Sequence, residues 1–136
     1  MRDMKNNIKV LCILDPVVAT DATALVSDIV DTQGYGSLTL GYATGTAADA
    51  DFAGTVLVED GDNSALSDHA AVADAQLIGT EADIALTEDS DSVCNTIGYI
   101  GHKRYVRVTI TPTDNTGNLP ITMFAILGDP ALAPVA

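Results

Sequence analysis

The stretch RYVRVTITP at positions 104–112 alternates without a break, with Val106, Val108 and Ile110 on one side and Tyr105, Arg107, Thr109 and Thr111 on the other. Successive side chains of an extended strand point to opposite faces, so this period of two puts three aliphatics on one sheet face. Other segments read the same way. NTIGYIG, SLTLGYAT, GTVLVEDG and ALVSDIVD are short, rich in β-branched or aromatic residues and separated by Gly, Asp and Asn, and IKVLCIL adds a strand near the N-terminus. Together they amount to about seven strands at the spacing of an all-β sandwich of the jelly-roll type.

Pro112 removes a ladder donor and is expected to end its strand, and TDNTGN supplies turn residues before ITMFAIL resumes an apolar run, so a hairpin is expected over 104–128. The Ala-rich segment from Ser67 resists the pattern: its apolar spacing allows a short helix around 69–77, with Gly79 suited to stop it. A chain of 136 residues suits one domain. The expected division is an extended N-terminal arm at 1–12, a sandwich at 13–128 and an extended, proline-containing tail at 129–136 that lies on a neighbour or in solvent.

Charge narrows the function classes. Net charge is −13, and between residues 10 and 102 there are 16 carboxylates and no Lys or Arg. Nucleic-acid binding rests on Lys and Arg neutralising phosphates, so a polyanion partner is not expected. No apolar stretch approaches the roughly 18 residues of a membrane helix. The N-terminus lacks an apolar run ending in a small-residue cleavage site, so no secretory signal is read there.

No catalytic, cofactor or metal site is expected. The acid cluster Glu59, Asp60, Asp62, Ser64 and Asp68 suggests a calcium loop, but counting from Asp60, Ala65 and Ala71 stand where the template needs Gly and a bidentate Glu. EDGDNS reads better as a solvated hairpin turn. His69 and His102 have no nucleophile context, and Asp68 beside His69 points to the opposite face if the pair lies on a strand. The glycines of GYGSLTLGYATG lack the strand-then-helix setting of a phosphate loop. Cys12 and Cys94 lie among apolar residues and read as buried free thiols, with a disulfide between them left open.

GYIGHKRYVRV is the one site-like feature. Tyr99, Lys103, Arg104, Tyr105 and Arg107 make a compact basic and aromatic patch, which is either a contact surface or a set of cations neutralising carboxylates within the fold.

The N-terminal MRDMKNNIKV, the YGSLTL and LVEDGDNSAL segments, the IGYIGHKRYVRV block and the GDPALAPVA end form a set that resembles small tailed-phage capsid decoration, or cement, proteins encoded near the major capsid protein. The long acidic, Ala-rich middle at 45–91 departs from that pattern. The resemblance implies a virion structural protein, made in the bacterial host cytoplasm and placed on the outer capsid surface, that binds the major capsid protein as a homo-oligomer, with a trimer favoured. It implies contacts through Arg2, Lys5, Ile8 and Lys9 of the arm and through Tyr99, Lys103, Arg104, Tyr105 and Arg107. A carbohydrate-binding or host-adhesion module, or another tail or head-tail protein, is the alternative, although four Tyr, two Phe and no Trp make a thin sugar platform.

Overall fold

The computed structural model describes residues 3–135. Its strands are β1 (Ile8–Ala19), β2 (Leu25–Val26), β3 (Val30–Asp31), β4 (Tyr35–Thr44), β5 (Ala53–Gly61), β6 (Ala70–Ala71), β7 (Leu77–Ile78), β8 (Cys94–Tyr99), β9 (Tyr105–Thr113) and β10 (Leu119–Pro130). Four antiparallel pairings nest inside one another: β1 with β10, β2 and β3 with β9, β4 with β8, and β5 with β6. The chain is therefore one long antiparallel ribbon. Wrapping that ribbon adds the β10–β4 and β9–β5 pairings and closes two sheets, β1-β10-β4-β8-β7 (sheet I) and β2-β9-β5-β6 (sheet II). This is the expected all-β jelly-roll sandwich.

Alternation sets the faces. Val106, Val108 and Ile110 of β9 and Val56 and Val58 of β5 point inward against Leu38, Leu40 and Tyr42 of β4, Ile97 of β8 and Ile121, Met123, Ala125 and Leu127 of β10. Leu40, Val58, Val106, Ile110, Met123 and Ala125 have no exposed surface.

Several expectations change. The 104–128 hairpin does not form, because β9 lies in sheet II and β10 in sheet I. In a wrapped ribbon, consecutive strands near its open end belong to opposite sheets, and the TDNTGN turn carries the chain across the sandwich. Asn115 in that turn is buried and donates to the carbonyls of Ala19 and Asp21. Pro112 does not end β9, which runs on to Thr113. Beyond Ile110, β9 has lost its β2 neighbour and pairs only with β5, Pro112 opposite Gly54 and Thr113 opposite Ala53.

The expected helix at 69–77 is absent. Ala70 and Ala71 join β5, Asp74–Gln76 is a single 3-10 turn, and Leu77 with Ile78 edges β8. Val72 N–H and Gln76 C=O bond to Val58 and Ile100, so the sheet edges take the backbone groups that a helix would have satisfied itself.

Both ends of the described segment, residues 3–135, are tied down. Residues 8–12, expected in an arm, are the start of β1 and pair with β10. The tail returns to its own chain, with Ala131 and Val135 N–H donating to Gly34 and Asn6 carbonyls. β1 is a free sheet edge, and two register shifts around Leu14, next to Asp15 and Pro16, interrupt it.

Candidate contact surfaces

The N-terminal segment and the 98–108 block, singled out in the sequence, meet at one end of the sandwich. Ile8 pairs with Gly128, which pairs with Ser37, while Leu38 beside it pairs with Tyr99. In the other sheet, Tyr105 pairs with both Asp31 and Gly61. Thus Lys5, just ahead of β1, and Lys9 share an end with Lys103, Arg104, Tyr105 and Arg107, and Arg2 lies outside the described residues.

The cations of the 103–107 block are paired within the fold. Arg104 holds Asp31 through two bonds, Nε at 2.8 Å and Nη2 at 2.7 Å, and its guanidinium lies 4.9 Å from the centre of the Tyr105 ring. Lys103 pairs with Asp62. Arg107 sits directly across from Glu59 in the β5–β9 ladder and donates Nη2 at 2.6 Å, and His69 Nδ1 lies 2.8 Å from the other Glu59 oxygen. Burial raises the Glu59 pKa, but the Arg107 hydrogen bond and the charges of Arg107 and His69 outweigh it, so the carboxyl titrates below its ordinary value. Glu59 and Asp60 are buried strand residues, which corrects the reading of EDGDNS as a solvated turn; the turn begins at Asp62.

Tyr99 is a clamp between the sheets. It points inward from sheet I, is 6% exposed, and donates its hydroxyl to Asp60 of sheet II at 2.7 Å while accepting from Lys103 N–H at 3.1 Å. Burial, then the Asp60 carboxylate, pushes the phenol far above its ordinary range, so it stays a donor. The sequence could not show this role, because Tyr99 and Asp60 belong to strands in different sheets.

The opposite end is built without cations. Its loops carry Asp21, Asp49, Asp51, Glu88, Asp89, Asp91 and Asp114 and no Lys or Arg. The carboxylates bind backbone amides instead: Asp49 accepts from Thr116 and Gly117 N–H at 2.6 and 3.2 Å, Asp91 from Ala47 at 2.6 Å and Asp21 from Thr23 at 2.8 Å.

Between the two ends, three rows on the outer face of sheet I carry no charged side chain, and Asp15 at the β1 bulge sets its carboxylate 3.9 Å from the Cys12 thiol. One row crosses all five strands as Val10, Ile126, Thr39, Gly98 and Ile78, and the next runs Cys12, Phe124, Gly41 and Thr96. A third holds Thr122, Ala43 and Cys94. Gly41 lets the Phe124 ring lie flat on β4, since a Cβ there would stand 2.6 Å from the ring. Ile78 lies over Gly98 in the same way, with 3.0 Å to a notional Cβ. Two shallow depressions of about 320 and 410 Å³ flank the rows, one edged by Pro16, Val18 and Pro120, the other by Tyr35, Ile78, Ile100 and His102.

Both cysteines are free and exposed on this face, which overturns the expectation of buried thiols. Two strands separate them, so at about 4.8 Å per strand they are too far apart to bridge. None of the six aromatic side chains is exposed: Phe52, Tyr42 and Tyr99 are buried, and Tyr35, Tyr105 and Phe124 are half-buried. No described helix is long and apolar enough to cross a membrane.

No protein-family model matches the chain, and no curated protein matches it. Among solved structures, the PBSX exported protein XepA superposes over 97% of this chain with a TM-score of 0.57 at 12% identity, and the chain spans 40% of XepA's length. The SPBc2 prophage-derived protein YomS gives 0.48 at 11% identity over 90% of this chain and 94% of its own. A chain of the cyanophage Pam1 capsid asymmetric unit gives 0.47 at 14% over 95% and 90%. Carbohydrate-binding modules are also among the structures similar to this chain. The likeness to XepA is one of fold.

Proposed function

We propose that this chain is a phage virion structural protein of the decoration type, which binds the outer surface of a capsid shell through the paired end of its sandwich and performs no chemistry. The observation that carries the reading is that the N-terminal segment and the 98–108 block, two of the segments resembling decoration proteins and far apart in the chain, come together at that end. Every described Lys and Arg lies there too, which makes this end of a −13 chain much less negative than the other. The acidic end then faces solution, where like charge keeps particles apart.

The mechanism is mass action. A protein that binds only the assembled lattice stabilises it by RT ln(1 + [L]/Kd) at each site. Self-association of the decoration protein adds avidity by letting one particle span neighbouring subunits. Because Lys103, Arg104 and Arg107 already have internal partners, the contact rests on shape and on Lys5, Lys9, Tyr105 and the rims of the paired side chains. The half-buried state of Tyr35, Tyr105 and Phe124 weighs against a sugar-stacking platform.

The test is co-sedimentation of the purified chain with capsids of its phage that lack it. The chain should pellet with shells, and reversal of Lys5 and Lys9 to Glu should reduce binding more at low salt than at high. Failure to pellet at any salt concentration would remove the reading.

A further inference from the structure

After β10 the chain leaves sheet I and shows solvent four uncharged residues in succession, Ala131, Leu132, Ala133 and Pro134. Leu132 is 85% exposed, more than any other large hydrophobic side chain described. A lone exposed leucine on a loose tail would call for no explanation. This one stands on a segment that the fold holds at both ends. Ala131 N–H donates to the Gly34 carbonyl at 2.8 Å, in the turn before β4, and Val135 N–H donates to the Asn6 carbonyl at 3.0 Å, in the turn before β1. Because β10 lies between β4 and β1, the tail spans the end of sheet I from one neighbour to the other. The Asn6 turn is braced in its own right. Asn7 and Ile8 N–H both donate to the Met4 carbonyl, and the Asp3 carboxylate accepts from Asn6 N–H. Met4, on that turn, is 62% exposed.

We propose, on the reading of the paired end as the docking end, that Leu132 together with Met4 is the apolar anchor of the capsid contact, seated in an apolar recess of the shell subunit whose rim carries carboxylates. Three observations select that occupant. The tail lies at the end of the sandwich that holds Ile8, Tyr99 and Tyr105, so it is continuous with the surface assigned to the shell. Lys5 on the Asn6 turn and Lys9 at the start of β1 form no ion pair among the described residues, which suits a recess rimmed by carboxylates and opposes one rimmed by cations. The tail is also held in place before it docks. Seating Leu132 therefore costs little conformational entropy, and the burial of its side chain is left to favour binding. The two parts of the contact then differ in their response to salt: the lysines steer and are screened, whereas the leucine holds at any ionic strength.

The experiment is co-sedimentation of the full chain with capsids of its phage that lack it, at low and at high salt, beside sedimentation equilibrium of the free protein. Leu132→Asp should weaken binding roughly ten- to a hundred-fold at both salt concentrations, the loss expected when the burial of one leucine is forfeited. Leu132→Met should keep binding, and so should Leu57→Thr on the outer face of sheet II. Since Leu132 is exposed, the melting curves of its variants should match the wild type. Equal pelleting of wild type and Leu132→Asp would overturn the anchor and leave the capsid reading standing, whereas a wild type that does not pellet would remove both. A loss of binding that high salt restores would overturn the anchor, because it would be electrostatic. A Leu132→Asp that lowers the mass of the free protein would make the tail a contact between copies and overturn it as well.

Discussion

The two ends of this sandwich solve one problem in two ways. Both are rich in carboxylates. At the end formed by Ile8, Tyr99 and Tyr105, the carboxylates of Asp31, Glu59 and Asp62 meet Arg104, Arg107 and Lys103. At the other, Asp21, Asp49 and Asp91 close loops by accepting backbone N–H groups. An amide satisfies a carboxylate's hydrogen bonding but leaves its charge in place, so the second end stays fully acidic. The difference teaches that a net charge of −13 does not describe a uniformly acidic particle. It describes one end whose carboxylates are largely offset by cations and one end with no cation at all.

Breaking the half-buried pairing at the first end should have the largest effect. Arg107→Ala leaves the Glu59 carboxylate, 10% exposed, with His69 as its remaining partner. Loss of a partly buried ion pair should cost about 2 kcal/mol, read as a lower urea midpoint with unchanged m-value. Tyr99→Phe comes next. It keeps the ring in the core but removes the hydroxyl that Asp60 accepts, and stranding a buried acceptor should cost about 1–2 kcal/mol.

Acid sharpens the comparison. The folded-state pKa of Glu59 lies below its ordinary value of 4.5, so in the interval between the two the unfolded chain binds more protons than the folded one. Its contribution is therefore complete above about pH 4.5 and is lost as pH falls through the lowered folded value. A urea-midpoint profile against pH should drop across that interval in the wild type and drop less in Arg107→Ala. An equal acid slope in the two proteins would show that the pair does not hold Glu59 ionised.

The smallest effects belong to exposed charge. Lys103→Ala removes an exposed pair and should barely move the melting temperature. Asp89→Lys at the acidic end should raise it slightly at low salt, with the gain vanishing as salt screens the repulsion.

Much of the sheet was legible because alternation is local: Val106, Val108 and Ile110 declare their face without reference to any partner. What that alternation cannot declare is which strand lies alongside. The turn after Thr113 has the same composition whether it joins neighbours in one sheet or crosses between two, and the 104–128 hairpin expectation failed there. The basic patch was visible as residues, but its pairing was not, because Glu59 meets Arg107 through a ladder between strands 48 residues apart. Of the two readings of that patch, internal neutralisation accounts for Lys103, Arg104 and Arg107. The uncharged rows on the outer face of sheet I were hidden for the same reason. Val10, Thr39, Gly98 and Ile78 are unremarkable one at a time and make a surface only in register. The cysteines misled because apolar neighbours in sequence point to both faces of a strand, and Cys12 and Cys94 take the outer one.

The central proposal is that the chain stands on a capsid shell by its paired end. A cryo-EM reconstruction of a virion that carries this chain tests it most directly. The account predicts density for the jelly roll on the outer surface of the shell, with Ile8, Lys103 and Tyr105 toward the capsid and the loops of Asp49 and Glu88 toward solvent. Density confined to the tail, or a sandwich on the shell with its acidic loops against the capsid, would contradict it.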